Sequence, residues 1–411
     1  MAQVRTVRAQ GDWSTYREKY DFTEGISLLD LNSNPMTYLA MKFNKKTSGN
    51  IKHSWFTDEL VAETDTVDTT TTACVTAGTD IAVDHYDRWA VGDIMMREKT
   101  RETMLVTAIN STTGVTVTRD YGATSGAYTT LAGSILDAEV LIKVGNAWEQ
   151  GAPLGTLLST TETQLDNWCQ DIRTPFGMSE VAWAAALHGE ADWPYQMRKA
   201  GIEHQRKIEW AIKFGHPMPG DRGIYVSATG NTSPATMGGL WHYLTGGTGF
   251  AGTGSDRRVS QSEITKAEFL TWVQHCFRYG SSNRILFAPP LLRTALDSWG
   301  IADLQLNPGD SAYGIAVKRW ISSHGVITIV TDKMLEQPSG GGAGATAFML
   351  DMEDISMVFY NKLGTTRMRE LDAYKADGTT AKKAEYQTIC CLEVKQPKKH
   401  GVLYGMTSFA A

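Results

Sequence analysis

From Glu190 to Phe214 the chain places Trp193, Met197, Gly201, His204, Ile208 and Ile212 at gaps of three or four. That is the period of an amphipathic helix, because a strand would scatter those residues over two faces. Asp192 and Pro194 suit its first turn, and Gly215 followed by Pro217 suits its end. At 1.5 Å per residue such a helix is roughly 38 Å long, enough to cross a whole small domain. Arg198, Lys199, Arg206 and Lys207 fall off the apolar stripe. They read either as a solvated face paired with Glu203 and Glu209, at a few tenths of a kcal/mol each, or as a face turned towards a polyanion.

Strand patterns flank this helix. The chain has 411 residues, which sets a prior of two to three domains. Residues Asn50 to Pro153 are rich in Thr and Val, and Val115-Thr116-Val117-Thr118 alternates with period two. Met104–Ile109 precedes it as a second strand across the polar turn Asn110–Gly114, and Ile94–Met96 reads as a third. This is a small all-β module over about Val61 to Ala138, with 5 basic and 11 acidic residues and a local net charge of −6. The segments beside it, Ile51–Leu60 and Val140–Glu149, read as the two legs of a long hairpin that carries Trp55 and Trp148.

Beyond the helix, residues 218–344 read as α/β. Thr265 to Tyr279 is amphipathic, with Phe269, Trp272, Val273, Cys276 and Phe277 inward. Thr265 and Glu268 have capping-box spacing, and Gly280 is a natural stop. Arg284–Ala288 and Ile327–Val330 are buried strands, and after Pro289-Pro290 a further helix runs to Trp299. The last segment returns to strands at Ala347–Leu350, Ile355–Tyr360 and Tyr386–Val394, with an acidic turn at Asp351–Asp354. Lys395, Lys398, Lys399 and His400 form a basic patch. The N-terminal residues 1–49 show no sustained period and hold Arg5 and Arg8 with no acidic residue before Asp12, which describes an arm either disordered or ordered by lying across a neighbour.

Chemical signatures are sparse. There is no phosphate loop, no GxSxG elbow, no HExxH and no CxxC. Gly247-Thr248-Gly249-Phe250-Ala251-Gly252 matches GxGxxG, yet polar loop follows it where a dinucleotide site needs a helix. Asp80, Asp84 and Asp87 suggest an oxygen site for calcium but lack the glycine turn and closing glutamate of an EF-hand loop. No catalytic residue, metal site or cofactor is expected. The five cysteines, Cys74, Cys169, Cys276, Cys390 and Cys391, read as free thiols made in a reducing compartment. The net charge of −6 argues against a dedicated nucleic-acid binder, and no stretch approaches the length of a membrane helix.

The order of parts resembles the HK97-fold major capsid proteins of tailed bacteriophages, in a family with a β module inserted in the E-loop. Asn34-Pro35-Met36-Thr37 with Tyr38-Leu39, then Trp55 with Asp58-Glu59-Leu60, carry the match. Within the module it is carried by Val91-Gly92-Asp93, by Glu102, Met104, Val106, Ile109 and Asn110, and by Val117-Thr118-Arg119; Ile208-Glu209, within Arg198–Gly215, is similar to the family's spine-helix ending. The resemblance implies an α+β chain with an N-arm (1–49) and an E-loop (50–153) bearing the module (61–138). It implies a P-domain (154–217 and 345–411) with spine helix 190–214, and an A-domain (218–344). It further implies a subunit that assembles in the host cytoplasm, as hexamers and pentamers, into the icosahedral shell of a virion around double-stranded DNA. Portal, scaffold or protease and a decoration protein are then its expected partners, with weak non-specific contact to packaged DNA and none to a membrane. Trp55 and Trp148 are the expected inter-subunit contacts. Arg5, Arg8, Arg198, Lys199, Arg206 and Lys207 are the expected DNA-facing residues. A tail or decoration protein, and a hydrolase with its site in 218–344, are the alternatives.

Overall fold

The computed structural model describes residues 35–37, 44–68, 79–110, 114–122, 135–152, 155, 157–184, 192–219, 234–246, 257–300, 311–312, 315–336, 344–361, 364–372 and 380–410. The chain divides into two units, one of Met1–Trp55 with Gln164–Ala411 and one of Phe56–Thr163. Arg5, Arg8, Cys74 and the Gly247–Gly252 motif lie outside the described residues.

The first unit holds two principal sheets. In the five-stranded one, Ala381–Val394 is central. It pairs antiparallel with Gln170–Ser179 on one edge and with Ile355–Tyr360 and Arg367–Asp372 on the other. Lys45–Ser48 adds a parallel strand beside Ile355–Tyr360. The run Ile355-Ser356-Met357-Val358-Phe359 is buried throughout, as a strand covered on both faces should be. The long helix spans Asp192–Phe214 and packs on this sheet. His204 bonds to Thr174 Oγ1 at 3.1 Å and to Thr388 Oγ1 at 2.8 Å, and Phe176 stacks between Trp193 and Tyr386. The helix ends where Gly215 meets backbone: a Cβ there would lie 2.4 Å from the Ala211 oxygen and 2.5 Å from the Met237 oxygen. The burial of the stripe is uneven. Trp193, Met197 and Gly201 are only half-buried, while Ala200, His204, Ile208, Glu209, Ile212 and Lys213 are buried.

The second sheet has seven strands in the order Arg258–Ser260, Gly401–Met406, Ala345–Leu350, Asn283–Ala288, Val326–Thr331, Ile315–Ile321 and Ser311–Ala312. Here the structure corrects the expectation from sequence, which places everything from 345 onward with the domain of the long helix. Ala345–Leu350 and Gly401–Met406 lie inside the sheet of the 218–344 segment. The reason is burial: all six residues of Ala345–Leu350 are buried, and a strand covered on both faces belongs in the middle of a sheet. Helices Lys266–Cys276 and Pro290–Ser298 supply Phe269, Trp272, Val273, Leu292 and Leu296 to the same apolar cluster as Leu286, Ile327 and Met349. The capping box forms as the spacing requires, with Glu268 N donating to Thr265 Oγ1 and Thr265 N donating to Glu268 Oε2.

The second unit is a small β-barrel. Its six strands run in the order Thr64–Thr66, Val140–Asn146, Asp93–Arg97, Thr103–Asn110, Gly114–Thr118 and Asp80–Ile81. A bridge between Val67 and Val83, with Asp84 N donating to Thr66 O and Asp68 N to Ala82 O, joins the last strand to the first. Closure removes the exposed edges that a Thr/Val-rich sheet would otherwise offer for aggregation. Trp89, Met95, Met104, Val106, Val115, Val117, Ile135 and Leu141 fill the interior. The expected hairpin is therefore wrong in its pairing. Lys52–Thr57 pairs with Thr163–Trp168, while Val140–Asn146 is taken up by the barrel between Thr64–Thr66 and Asp93–Arg97. Alternation of Leu141 and Ile142 across a strand satisfies a barrel wall as readily as a free hairpin leg, so pattern alone could not choose between them.

Candidate functional site

The two tryptophans expected to grip a neighbour have different fates. Trp55 is buried in the core of its own chain. Its Nε1 donates to the Val394 carbonyl at 3.1 Å, and its ring lies 5.8 Å from that of Tyr243. It fixes the Lys52–Thr57 strand to the five-stranded sheet and is not offered to another subunit. Trp148 remains 46% exposed. Its ring lies over the backbone of Gly92 and Gly155, where a Cβ on Gly155 would fall 2.3 Å from the indole. A Gly155→Val substitution is expected to lever the indole outward, red-shifting tryptophan emission and costing about 1–3 kcal/mol of barrel stability. An unchanged emission maximum would show that the ring does not rest there.

The exposed apolar side chains lie elsewhere. Phe56 is 71% exposed, Leu60 96% and Leu157 82%. These three sit in the second unit on the segments by which the chain enters and leaves it. Val181 and Trp183 are also exposed, on the short helix Glu180–Ala184, with Lys382 Nζ 5.6 Å from the Trp183 ring.

The basic face of the long helix is real but partly committed. Arg198, Lys199 and Lys207 are exposed and Arg206 is half-buried. Lys207 Nζ donates to Thr174 Oγ1 at 3.0 Å and to the Arg173 carbonyl at 3.3 Å, and the Arg198 guanidinium lies over Tyr195. Glu209, offered by the sequence as a partner for this face, points the other way. Its Oε1 accepts from Met36 N at 3.1 Å, and its Oε2 accepts from Thr37 N at 2.7 Å and from Thr37 Oγ1. Lys213 Nζ stands 2.9 Å from Glu209 Oε1 and 2.5 Å from Asp332 Oδ2, and all three side chains are fully buried. Asp332 Oδ1 accepts in turn from Met334 N at 3.0 Å. Two carboxylates thus share one ammonium, and backbone N–H groups hold the remaining negative charge. Burial pushes the Asp332 carboxyl up, with Lys213 acting against it. The triad ties the Pro35–Thr37 turn, the long helix and the turn after Val326–Thr331 to one point. Sequence reasoning missed it, although Glu209 and Lys213 follow the stripe members Ile208 and Ile212 at i, i+4 spacing.

His400, read as part of a basic patch, is buried instead, and its Nδ1 accepts from Asp351 N at 3.1 Å. Burial, helped by the nearby Arg284 cation, pushes its imidazole down to about 4. An unfolded histidine titrates near 6.5, so the unfolded chain takes up this proton first and stability falls as pH drops from about 6.5 towards 4. The effect is at most about 3 kcal/mol, and a urea midpoint that does not fall between neutral pH and about pH 4 would contradict it. His204 is lowered for the same reason, burial, and adds in the same direction.

Among the described residues, Asp84 alone of the aspartates offered for calcium joins a cluster, with Asp65 and His85, whose donor atoms lie within 4.8 Å of one another. Asp65 is already saturated: it accepts from Trp89 Nε1, Thr66 N and the backbone and ring of His85. Asp80 accepts from Thr116 Oγ1. These are the bonds of a barrel wall, not of an open cation site. In the same barrel Arg97 bridges Glu102 and Glu139, and Arg119 is paired with Glu102.

The model of the SU10 major capsid protein family matches residues 6–407. No characterised relative matches the sequence. Among solved structures, the capsid of a native GTA particle is 8% identical, with 98% of this chain and 100% of that one covered and a TM-score of 0.46. A chain of Microbacterium phage Oxtober96 is 10% identical, with 97% and 99% covered and a TM-score of 0.45. The holo-SrpI encapsulin complex from Synechococcus elongatus is 10% identical over 62% of this chain and 80% of that one, with a TM-score of 0.42. The family match spans both units, and it sets aside the alternatives of a tail protein, a decoration protein and a hydrolase. Capsid proteins work by binding copies of themselves, which accords with the exposed apolar groups Phe56, Leu60 and Leu157. The chain belongs to the SU10 major capsid protein family and is a structural component of a virion shell.

Proposed function

We propose that the chain follows the HK97-like plan and closes, as hexamers and pentamers, into an icosahedral shell around the double-stranded DNA of a tailed virus. Residues 1–49 serve as the N-arm and 50–153 as the E-loop, with the β module at 61–138. Residues 154–217 and 345–411 form the P-domain around the spine helix, and 218–344 the A-domain, completed by the two strands it borrows from the C-terminal segment. The family match over residues 6–407 carries this reading. Portal, scaffold or protease and a decoration protein are its further partners.

Phe56, Leu60 and Leu157 take the role expected of Trp55, because apolar groups this exposed gain most from a neighbour that covers them. Trp148, half-exposed, contributes beside them. Replacing Leu60 and Leu157 together by aspartate is expected to abolish assembly in light scattering while moving the subunit's unfolding midpoint little. Full assembly of that variant would refute the contact.

The acidic barrel faces outward. Arg198, Lys199, Arg206 and Lys207, with Arg5 and Arg8, face the genome. A net of −6 over Val61–Ala138 would repel packaged DNA on the inside. A few cations on the inner face give weak, salt-dependent phosphate contact without base readout. A density map of the assembled shell decides this by the charge within about one Debye length, ~8 Å, of each surface. An inner surface at least as negative as the outer one would overturn the assignment.

A further inference from the structure

Cys169 and Cys391 lie with their sulfurs 3.5 Å apart, both buried. Cys391 stands on the Ala381–Val394 strand, and Cys169 immediately precedes its antiparallel neighbour Gln170–Ser179. Gln170 is opposite Cys390 in the ladder, so one further step places Cys169 opposite Cys391. Directly opposed residues of an antiparallel pair have Cα atoms roughly 4.5–5.5 Å apart, inside the span of about 4.4–6.8 Å that a disulfide bridges. Cys390 cannot compete, because successive side chains of a strand point to opposite faces. We propose that Cys169 and Cys391 are a covalent cross-link site: they are made as thiols and closed into a cross-strand disulfide by exchange with a small-molecule disulfide.

The exchange balances without any other reagent. The Cys169 thiolate attacks one sulfur of the small disulfide, forming a mixed disulfide at Cys169 and expelling one small thiolate. Cys391 then gives up its proton to solvent and attacks the Cys169 sulfur, expelling the second small thiolate. The two protein thiols are oxidised, the reagent is reduced to two thiols, and the two protons released are taken up by the leaving thiolates. The polarity of the pair favours this order. The contact between the two sulfurs lowers the Cys169 thiol and raises the Cys391 thiol. Cys169 sits in the one-residue break between the Thr163–Trp168 and Gln170–Ser179 strands, off the continuous ladder that holds Cys391.

The consequence is mechanical. The bond joins positions 222 residues apart in sequence, and that loop contains the long helix Asp192–Phe214 and most of the seven-stranded sheet. A link over so long a loop restricts the unfolded chain strongly. Open in a reducing compartment, the pair leaves the subunit free to fold and assemble; closed afterwards, it resists unfolding. The proposal does not depend on the shell reading, since it concerns two strands of one subunit.

The test uses the full chain, incubated folded with millimolar oxidised glutathione, then denatured and alkylated. The expected product carries two fewer alkyl groups than the reduced control and a peptide containing Cys169 linked to the one containing Cys391. Cys390→Ser should retain the link, and Cys169→Ala and Cys391→Ala should each lose it. The oxidised protein should melt at a higher temperature than the reduced one, with the difference erased by dithiothreitol. Five alkylated cysteines after exposure of the folded protein would overturn the proposal. So would a link through Cys390 or another cysteine, a stable glutathione adduct at Cys169, or a bond that leaves the melting temperature unchanged. Because the wild-type chain alone gives the first readout, a variant that fails to fold leaves the outcome equally clear.

Discussion

Replacing Lys213 with methionine should destabilise the subunit by about 3–5 kcal/mol, the range seen when one partner of a buried ionic group is removed. The substitution nearly keeps the volume of the side chain but leaves Glu209 and Asp332 facing each other without the ammonium between them. Both are fully buried, so neither can recover the loss from water. Methionine at 213 combined with Glu209→Gln and Asp332→Asn should regain much of the stability, because a neutral trio does not carry unpaired buried charge. Equilibrium unfolding in guanidinium chloride measures both. A Lys213→Met protein as stable as the wild type would mean that the triad is not closed as described. Glu209 also receives the Met36 and Thr37 amides, so the single variant should release the Pro35–Thr37 turn. Faster amide exchange at Met36 and Thr37 would report that release.

Trp55→Ala is the second large effect, expected to cost about 3–5 kcal/mol in the isolated subunit, as large-to-small changes at buried aromatics do. The indole fills the space beside Tyr243 and satisfies the Val394 carbonyl, so alanine leaves both a cavity and an unmade bond. Trp148→Ala should cost far less, because nearly half of that side chain already faces solvent. The contrast separates the two roles in one unfolding experiment. If Trp55 gripped a neighbouring subunit instead, its loss would leave the isolated subunit unmoved and weaken only the assembled particle.

Local signals were readable in the sequence wherever one short segment decides its own state. The long helix, the capping box at Thr265 and Glu268, the strand Ile355–Tyr360 and the 3-10 turn Met352–Asp354 all follow from period, cap and turn chemistry. Pairing was not readable, because many partners satisfy one alternation. Val140–Asn146 could have matched Ile51–Leu60, but closing the barrel buried Leu141 more completely. The exchange of Ala345–Leu350 and Gly401–Met406 into the seven-stranded sheet is a long-range choice of the same kind. The buried charges were hidden for another reason. Lys213 and His400 are ordinary surface residues by type, and only the three-dimensional neighbourhood of Asp332 or Asp351 makes them interior ones. Of the residues offered as surface, Arg198, Lys199 and Lys207 are exposed and Trp55 is buried, while Phe56, Leu60 and Leu157 are exposed apolar groups that the pattern did not single out.

A chain that makes a shell does so by binding itself, and electron microscopy of the purified full-length protein at assembly concentration tests that most directly. Closed particles of uniform diameter, with five-fold and six-fold clusters of one subunit, are the expected result. Monomers, open tubes or amorphous aggregate as the sole products, from a chain shown to be folded by its cooperative unfolding, would contradict it.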